Sequence, residues 1–443
     1  MDLDFGTIPF MIWFLPLFLC IYFIVRPYYG KITVLIFGSI FFYGISYIEW
    51  LPALLGLTIL ATWGAFCVRK WGKPPLVLWV SVFVGVLIWN KMSNHLMPGI
   101  SFVVFTAISL LFDCYRKQVY GKGILDMMAY LLFFPKLLSG PIARMEDMEI
   151  RTIQILGEKT NCVWANLESG VVCFIVGLGY KVLLANQLAG LWYQVQTIGF
   201  ESISTPLAWL GLAGYSLQLY FDFQGYSLMA IGIAKMLGYT LPENFDSPYL
   251  SKSVSEFYHR WHMTLGSWFR DYIYIPLGGS QKGLMRTIYN LTIVWILTAV
   301  WHGMHLNFLL WGFYLLFWIV LEKIGLRRIL ERFPVLGHGY ILLVIPLSWV
   351  FFSLTDMTDI VQCFLRLFGQ QGVQIAAGDY IKYGKMYAPF LLAGIFFAFP
   401  YGERWLRANC KKGICVLLLL VIFWVSVYEL AMGLENPFMY FRF

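Results

Sequence analysis

Apolar residues fill this chain in long blocks separated by short polar breaks. The blocks run from Ile8 to Val25, Ile32 to Tyr47, Leu51 to Val68, Leu76 to Trp89, Ile100 to Phe112, Gly170 to Leu188, Pro206 to Phe221, Ile288 to His302, Phe308 to Leu321, Tyr340 to Leu354, Tyr387 to Phe399 and Ile414 to Tyr428. A helix needs roughly 20 apolar residues to cross the hydrocarbon core. The pattern therefore predicts an all-α polytopic membrane protein with about ten to twelve spans, the shorter ones tilted, broken or re-entrant. No internal repeat or long polar linker divides the sequence, which reads as a single domain over residues 1–443.

Composition agrees with that pattern. The chain is 60% hydrophobic and only 13% charged, with a mean hydropathy of +0.70, too apolar for a water-exposed surface. The amino-terminal MDLDF is acidic and lacks the basic region of a cleavable signal, so the first block is expected to remain as a span. Basic residues cluster after the first, third and fifth blocks: Arg26 and Lys31, then Arg69, Lys70 and Lys73, then Arg116, Lys117 and Lys122, whereas the loops between offer only Lys91. Those basic loops are expected in the cytoplasm, which places the amino terminus outside. The net charge of +8 is then accounted for by loop bias and anionic lipid head groups, and no soluble basic module is present to bind nucleic acid. The eight cysteines are scattered singly, and Cys20, Cys67, Cys173 and Cys415 sit inside apolar blocks. They read as small buried hydrophobes, neither disulfides nor metal ligands.

Polar or helix-breaking residues interrupt the apolar background in three places. In Phe133 to Arg144, FFPKLLSGPIAR, Pro135 and the Ser139-Gly140-Pro141 turn prevent a straight helix. This stretch is a kink or interfacial loop, or else the wall of a cavity. In Tyr215 to Ala234, Gln218 and Asp222 are four residues apart and share a helical face. A carboxylate within a span pairs with something, so Asp222 either ties helices through an Arg or Lys or lines a reaction path. The longest interruption is Leu241 to Arg286. There Ser253 followed by Glu256 forms a capping-box signature, which predicts a helix running to about Asp271. On that helix Tyr258, His262, Leu265 and Phe269 fall on one face, while Glu256 and Arg260 can pair on another. Rich in Trp, Tyr, Arg and Lys, and ended by Pro276, Gly278 and Gly279, the segment is expected to lie at the membrane surface as an interfacial or re-entrant element.

One histidine stands out. His302 lies in LTIVWILTAVWHGMHLNFLL, where an imidazole is costly to bury. Thr298, His302 and His305 fall at i, i+4 and i+7, a narrow polar stripe on an apolar helix, and Gly303 permits close approach of a backbone or substrate. The stripe supports three readings: a hydrogen-bonded structural histidine, a metal site on His302 and His305 that lacks further ligands, or a general base.

The run PENFDSPYLSKSVSEFYHRWHMTLGSWFRDYIYIPLGG, followed by VWHGMHLNFLLWG, resembles the membrane-bound O-acyltransferase superfamily, and within it the alginate O-acetyltransferase-like bacterial branch. PGISFVVFTAISLLFDCYR, FFPKLLSGPIAR, GVVCFIVGLGYKVLLANQLA, YFDFQGYSLMAIGIAKMLGY and the terminal ENPFMYFRF agree in order, from about Pro98 to the end. The resemblance implies helices around a central tunnel in the bacterial inner membrane. It also implies transfer of an acyl group, acetyl above all, from acetyl-CoA or another acyl thioester to a hydroxyl, with no permanently bound cofactor and no metal. His302 matches the family's central catalytic histidine, and His262, in the Arg260-Trp261-His262 run, matches a second position near the reaction chamber. The oxyanion that such a transfer develops needs donors, for which His262, Trp261, Trp301 and Asn244 are candidates, with Arg260, Gln218, Asp222 and Gly303 as further lining candidates. The implied acceptor is an exported polysaccharide or the hydroxyl of an extracytoplasmic partner acyltransferase; D-alanyl transfer to teichoic acid is the related alternative. One departure stands out: Leu315 and Leu316 occupy the positions where polysaccharide O-acetylases often carry His-Gly, so an accessory histidine is missing. The rival from another class is a proton-coupled transporter or flippase using Asp222, His262 and His302 as a relay.

Overall fold

The computed structural model describes residues 3–93, 96–116, 123–148, 160–370, 377–410 and 412–433. Lys117, Lys122 and the terminal ENPFMYFRF motif lie outside them. Among the described residues every regular element is helical, and the only β-pairing is an isolated bridge between Phe245 and Trp261.

Among the described residues eight helices are long and apolar enough to cross a bilayer: Tyr28–Ser46, Ile48–Trp71, Lys73–Met92, Val163–Ile198, Gly283–His302, Leu306–Arg332, Pro334–Ser353 and Gly413–Ala431. This lowers the expected ten to twelve, for reasons visible in the helices that fall short. Ile100–Tyr115 has 16 residues, about 24 Å at 1.5 Å per residue. It is buried on nearly every side, as an inner helix is. Thr205–Met236 is long enough, but Gln218, Asp222 and Gln224 are buried along it and dilute its apolar run. Asp379–Ala398 opens with Asp379, Lys382 and Lys385.

The chain clusters into two compact units. The first comprises Met1–Leu178, Gly225–Glu243 and Cys410–Arg442. Its core is aromatic: Phe5 stacks 4.9 Å from Tyr226, and Phe10, Phe14 and Phe18 surround Phe134. Helix Thr160–Gly179 meets the last part of Thr205–Met236 backbone to backbone. A Cβ on Gly170 would lie 2.6 Å from the Gly232 carbonyl, and one on Gly177 would lie 2.6 Å from that of Gly225. Small residues two turns apart on each helix allow that approach in an apolar medium, where close packing drives association. FFPKLLSGPIAR folds as the one-turn helix Phe134–Leu137 and an irregular turn, buried from Phe133 to Ala143. It is therefore neither a simple kink nor an interfacial loop. Lys136 is buried there with its ammonium 3.6 Å from the Tyr130 ring centre.

The second unit comprises Gly179–Gln224 and Asn244–Asn409. Its central feature is the hairpin of Gly283–His302 and Leu306–Leu321, whose helices approach closely at Gly312: a Cβ there would sit 3.1 Å from that of Ala299. Asn307 Nδ2 donates to the Phe351 carbonyl at 2.9 Å and joins the hairpin to Pro334–Ser353.

The interruption after Leu241 departs most from expectation. Ser253 does cap a helix, accepting from the Glu256 amide at 3.0 Å, but that helix is only Val254–Arg260. Trp261 is extended, His262 takes the left-handed conformation (φ 46°, ψ 52°), and a second helix spans Met263–Phe269. Bonds to Asn244–Asp246 replace those that would have continued the helix: the Asp246 amide donates to the Arg260 carbonyl and the Met263 amide to that of Asn244. Tyr258, His262, Leu265 and Phe269 therefore do not form one helical face. Val254, Phe257, Trp261 and His262 are buried, so this part of the segment is an interior connector and not a surface helix. Only the end, Ile275 to Arg286, is largely exposed.

Candidate functional site

His302 is the last residue of its helix and is buried. Gly303 ends the helix in extended backbone, where a Cβ would come within 2.6 Å of the Phe308 ring, so only glycine lets that ring pack here. The imidazole is caged by aromatic rings: Trp311 at 5.1 Å and Phe352 at 5.0 Å, both edge-on, Phe308 at 6.0 Å, and its neighbour Trp301 at 4.4 Å. Such walls lower the local dielectric and exclude water. The indole N–H of Trp311 is buried with no hydrogen-bond partner among the described residues, a donor left for something else.

The expected polar stripe does not survive. Thr298 bonds back to the Val294 carbonyl at 2.8 Å, and His305 lies beyond the helix end, exposed. His302 is buried and His305 exposed. Among the described residues no group of three His, Cys, Asp or Glu is placed to hold one.

His262 reaches the same neighbourhood from the turn between its two short helices. Its ring lies 6.3 Å from Trp301, which therefore touches both imidazoles, and 4.6 Å from Phe223, edge-on. Nδ1 is 3.0 Å from Asn244 Oδ1. The turn is held from behind by Glu322, whose carboxylate accepts from the Val254 amide and from the Ser255 amide and hydroxyl, and from the Tyr340 hydroxyl at 3.1 Å. A carboxylate at a helix start satisfies amides that have no partner within the helix and complements the dipole.

Burial pushes the His262 imidazole down to about 3, from an ordinary value of 6.5. The unfolded chain therefore binds this proton first on acidification, so the group's contribution to stability is complete above about pH 6.5 and is lost as pH falls towards 3. The expected slope is about 1.4 kcal/mol per pH unit inside that window. Melting curves in nanodiscs check it: wild type is expected to lose stability on acidification more steeply than His262→Gln, and equal slopes would contradict the assignment.

The remaining candidates separate. Trp301 and Asn244 belong to the site, whereas Trp261 packs against Phe245, Phe257 and Trp349 on its far side. Arg260 is half-exposed and pairs with Glu256 and Asp246, away from both histidines. Asp222 is ion-paired with Lys181, both side chains buried, the basic partner that the helix-tying alternative requires; Gln218 is buried one turn earlier. Lys181 lies in the π-helical turn Tyr180–Ala185. It escaped sequence reasoning although a lysine in an apolar block is a visible signal. Phe223, Thr264, Phe308, Trp311, Glu322 and Phe352 also escaped, with nothing but aromatic content or an isolated carboxylate to mark them.

The model of the membrane-bound O-acyltransferase family matches residues 12–356, a range that contains the whole site. The chain is 29% identical to a probable alginate O-acetylase of Pseudomonas putida, over 99% of this chain and 100% of that protein. It is 33% identical to a probable alginate O-acetylase of Pseudomonas fluorescens, over 80% of this chain and 73% of the other. A peptidoglycan O-acetyltransferase of Helicobacter pylori is 28% identical over 84% and 81%.

Proposed function

Because the chain belongs to the membrane-bound O-acyltransferase family, we propose that it moves an acetyl group from a cytoplasmic acyl thioester to a hydroxyl of a polysaccharide outside the bacterial inner membrane. The observation that carries this reading is His302, a buried imidazole in an aromatic cage at the end of a span, with a second imidazole across Trp301. As the acceptor oxygen attacks the thioester carbon, His302 takes the hydroxyl proton. The tetrahedral intermediate then collapses with cleavage of the C–S bond, and the imidazolium returns the proton to the departing thiolate. The indole N–H of Trp311 is the donor suited to the oxyanion formed in between.

Relatives named for alginate and for peptidoglycan support acetyl as the group and a glycan as the acceptor. The acetyl reaches it directly or through the hydroxyl of an extracytoplasmic partner acyltransferase. Leu315 and Leu316 are buried packing residues where such acetylases often carry a histidine, so the reaction here relies on His302 and His262. The amino terminus lies outside and the basic loops face the cytoplasm. Taking the short apolar helices Phe10–Ile24 and Ile100–Tyr115 with the eight long ones gives ten spans among the described residues.

Proteoliposomes loaded with acetyl-labelled thioester on one side and polysaccharide on the other test the reading. Label is expected on the polysaccharide with one thiol released per acetyl moved. Movement of solute with no thioester consumed would replace the enzyme with a transporter.

A further inference from the structure

Hydrogen bonds around His262 decide which of its nitrogens carries the proton. Asn244 Oδ1 lies 3.0 Å from His262 Nδ1, 2.9 Å from Thr264 Oγ1 and 3.4 Å from the Thr264 amide nitrogen. A backbone amide only donates, so the Thr264 N–H fixes which end of the Asn244 side chain faces this cluster: the carbonyl oxygen. An amide oxygen only accepts, so His262 Nδ1 must carry its hydrogen. The neutral ring then holds its remaining lone pair on Nε2. The backbone adds a second constraint. His262 and Ser247 are the only non-glycine residues with positive φ among the described residues, and the left-handed turn at His262 is held by the pairing of Asn244–Asp246 with Arg260–Met263.

We propose that Asn244 is a positioning residue for acyl transfer: with Thr264 it holds His262 in the tautomer protonated on Nδ1, so that Nε2 meets a substrate hydroxyl as a hydrogen-bond acceptor. The inference rests on the acyltransfer reading and deepens it. A neutral imidazole presenting Nε2 as an acceptor would repel a developing oxyanion, so the donor role expected of His262 passes to other groups. A glycan brings several hydroxyls, so His262 and His302 need not compete for the same one. The charged and titratable groups on the elements around His262 include Asp222, held by Lys181, Arg260 with Glu256 and Asp246, Arg404 beside Asp246, His259 on the preceding short helix, and His302 beyond Trp301. Burial holds the ring neutral.

Nitrogen-15 NMR of histidine-labelled protein in nanodiscs tests the tautomer whether or not transfer is observed. The six histidine signals are resolved by subtracting the spectrum of His262→Gln. At neutral pH His262 is expected to show a protonated Nδ1 and a bare Nε2, and Asn244→Leu should shift it towards the opposite tautomer. Finding wild-type His262 protonated on Nε2 would overturn the proposal.

The pH dependence of kcat/KM supplies the second measurement. Asn244→Asp keeps an acceptor on Nδ1 but adds a negative charge that favours the imidazolium, so the acidic limb should move at least one pH unit higher, with activity recovered on the alkaline side. Asn244→Leu should be at least tenfold slower at every pH. Should the buried carboxylate prevent folding, Thr264→Val removes one of the bonds that orient the amide at constant shape, and a loss of threefold or more is expected. A limb in Asn244→Asp that coincides with wild type, or Asn244→Leu or Thr264→Val at wild-type rates, would reduce Asn244 to a structural residue. Wild type that consumes no thioester while keeping the Nδ1 tautomer would instead overturn the acyltransfer reading alone.

Discussion

Replacing His302 by Ala is expected to leave a folded protein in the membrane that has lost acyl transfer by a factor of about 10²–10⁴ or more. The cage around the imidazole is built from Trp301, Phe308, Trp311 and Phe352, which also pack against one another, as Phe308 and Trp311 do on Phe352 at 5.5 Å each. Removing the imidazole therefore leaves a void lined by rings that still hold their positions. What disappears is the only group in that cage able to take a proton from a hydroxyl and return it to a thiolate. An alcohol near neutral pH is too weak a nucleophile without such a base. Thiol release and label transfer in proteoliposomes should fall together, while expression and melting temperature stay near wild type. His305→Ala is the matched control, since His305 is exposed beyond the helix end and should be near wild type in both respects. Transfer by His302→Ala within a few-fold of wild type would remove His302 from the mechanism.

The second large effect belongs to Lys181 and Asp222. The two side chains form an ion pair and retain only 9% and 3% of their exposure. Asp222→Asn keeps the shape and removes the negative charge, which leaves the Lys181 ammonium in an apolar medium without its counter-charge. Breaking a buried pair in this way costs about 3–5 kcal/mol. The reverse variant, Lys181→Met, strands the carboxylate and should be of similar size. The double variant Lys181→Met/Asp222→Leu should recover most of that loss, because an apolar pair of similar volume has no desolvation to repay. Thermal unfolding of wild type, Lys181→Met, Asp222→Leu and the double variant in the same nanodiscs gives the answer as a double-mutant cycle. Additive losses would mean that the pair is not coupled, and Asp222 would return to being a lining candidate.

Much of the scaffold is legible in the sequence because its driving pattern is local. Long apolar blocks give long helices, and Ser253 caps its helix through a contact three residues away. The break at His262 is not legible, since the groups that replace the missing helical bonds sit at Asn244 to Asp246, and the residues from Val254 to Phe269 carry no glycine or proline at the turn itself. An unbroken helical projection placed His262 with Leu265 and Phe269, when in fact the chain turns at the histidine. The same assumption aligned His302 with His305, and Gly303 ends the helix between them. Asp222 and Gln218 illustrate another limit. Periodicity places both on one face correctly, but whether a buried carboxylate is a working group or a tie depends on a lysine 41 residues earlier in the chain.

Glu322 bears on how the molecule is made. The amides of Val254 and Ser255 emerge during synthesis well before the carboxylate that receives them, 68 residues further along from Val254. Between the two lies the whole hairpin of Gly283–His302 and Leu306–Leu321, which must enter the bilayer before Glu322 can arrive. The helix start that leads into the His262 turn therefore stays without its carboxylate partner until Glu322 has been made. A truncated chain ending before Glu322 would insert its spans and still lack the lock on its reaction centre.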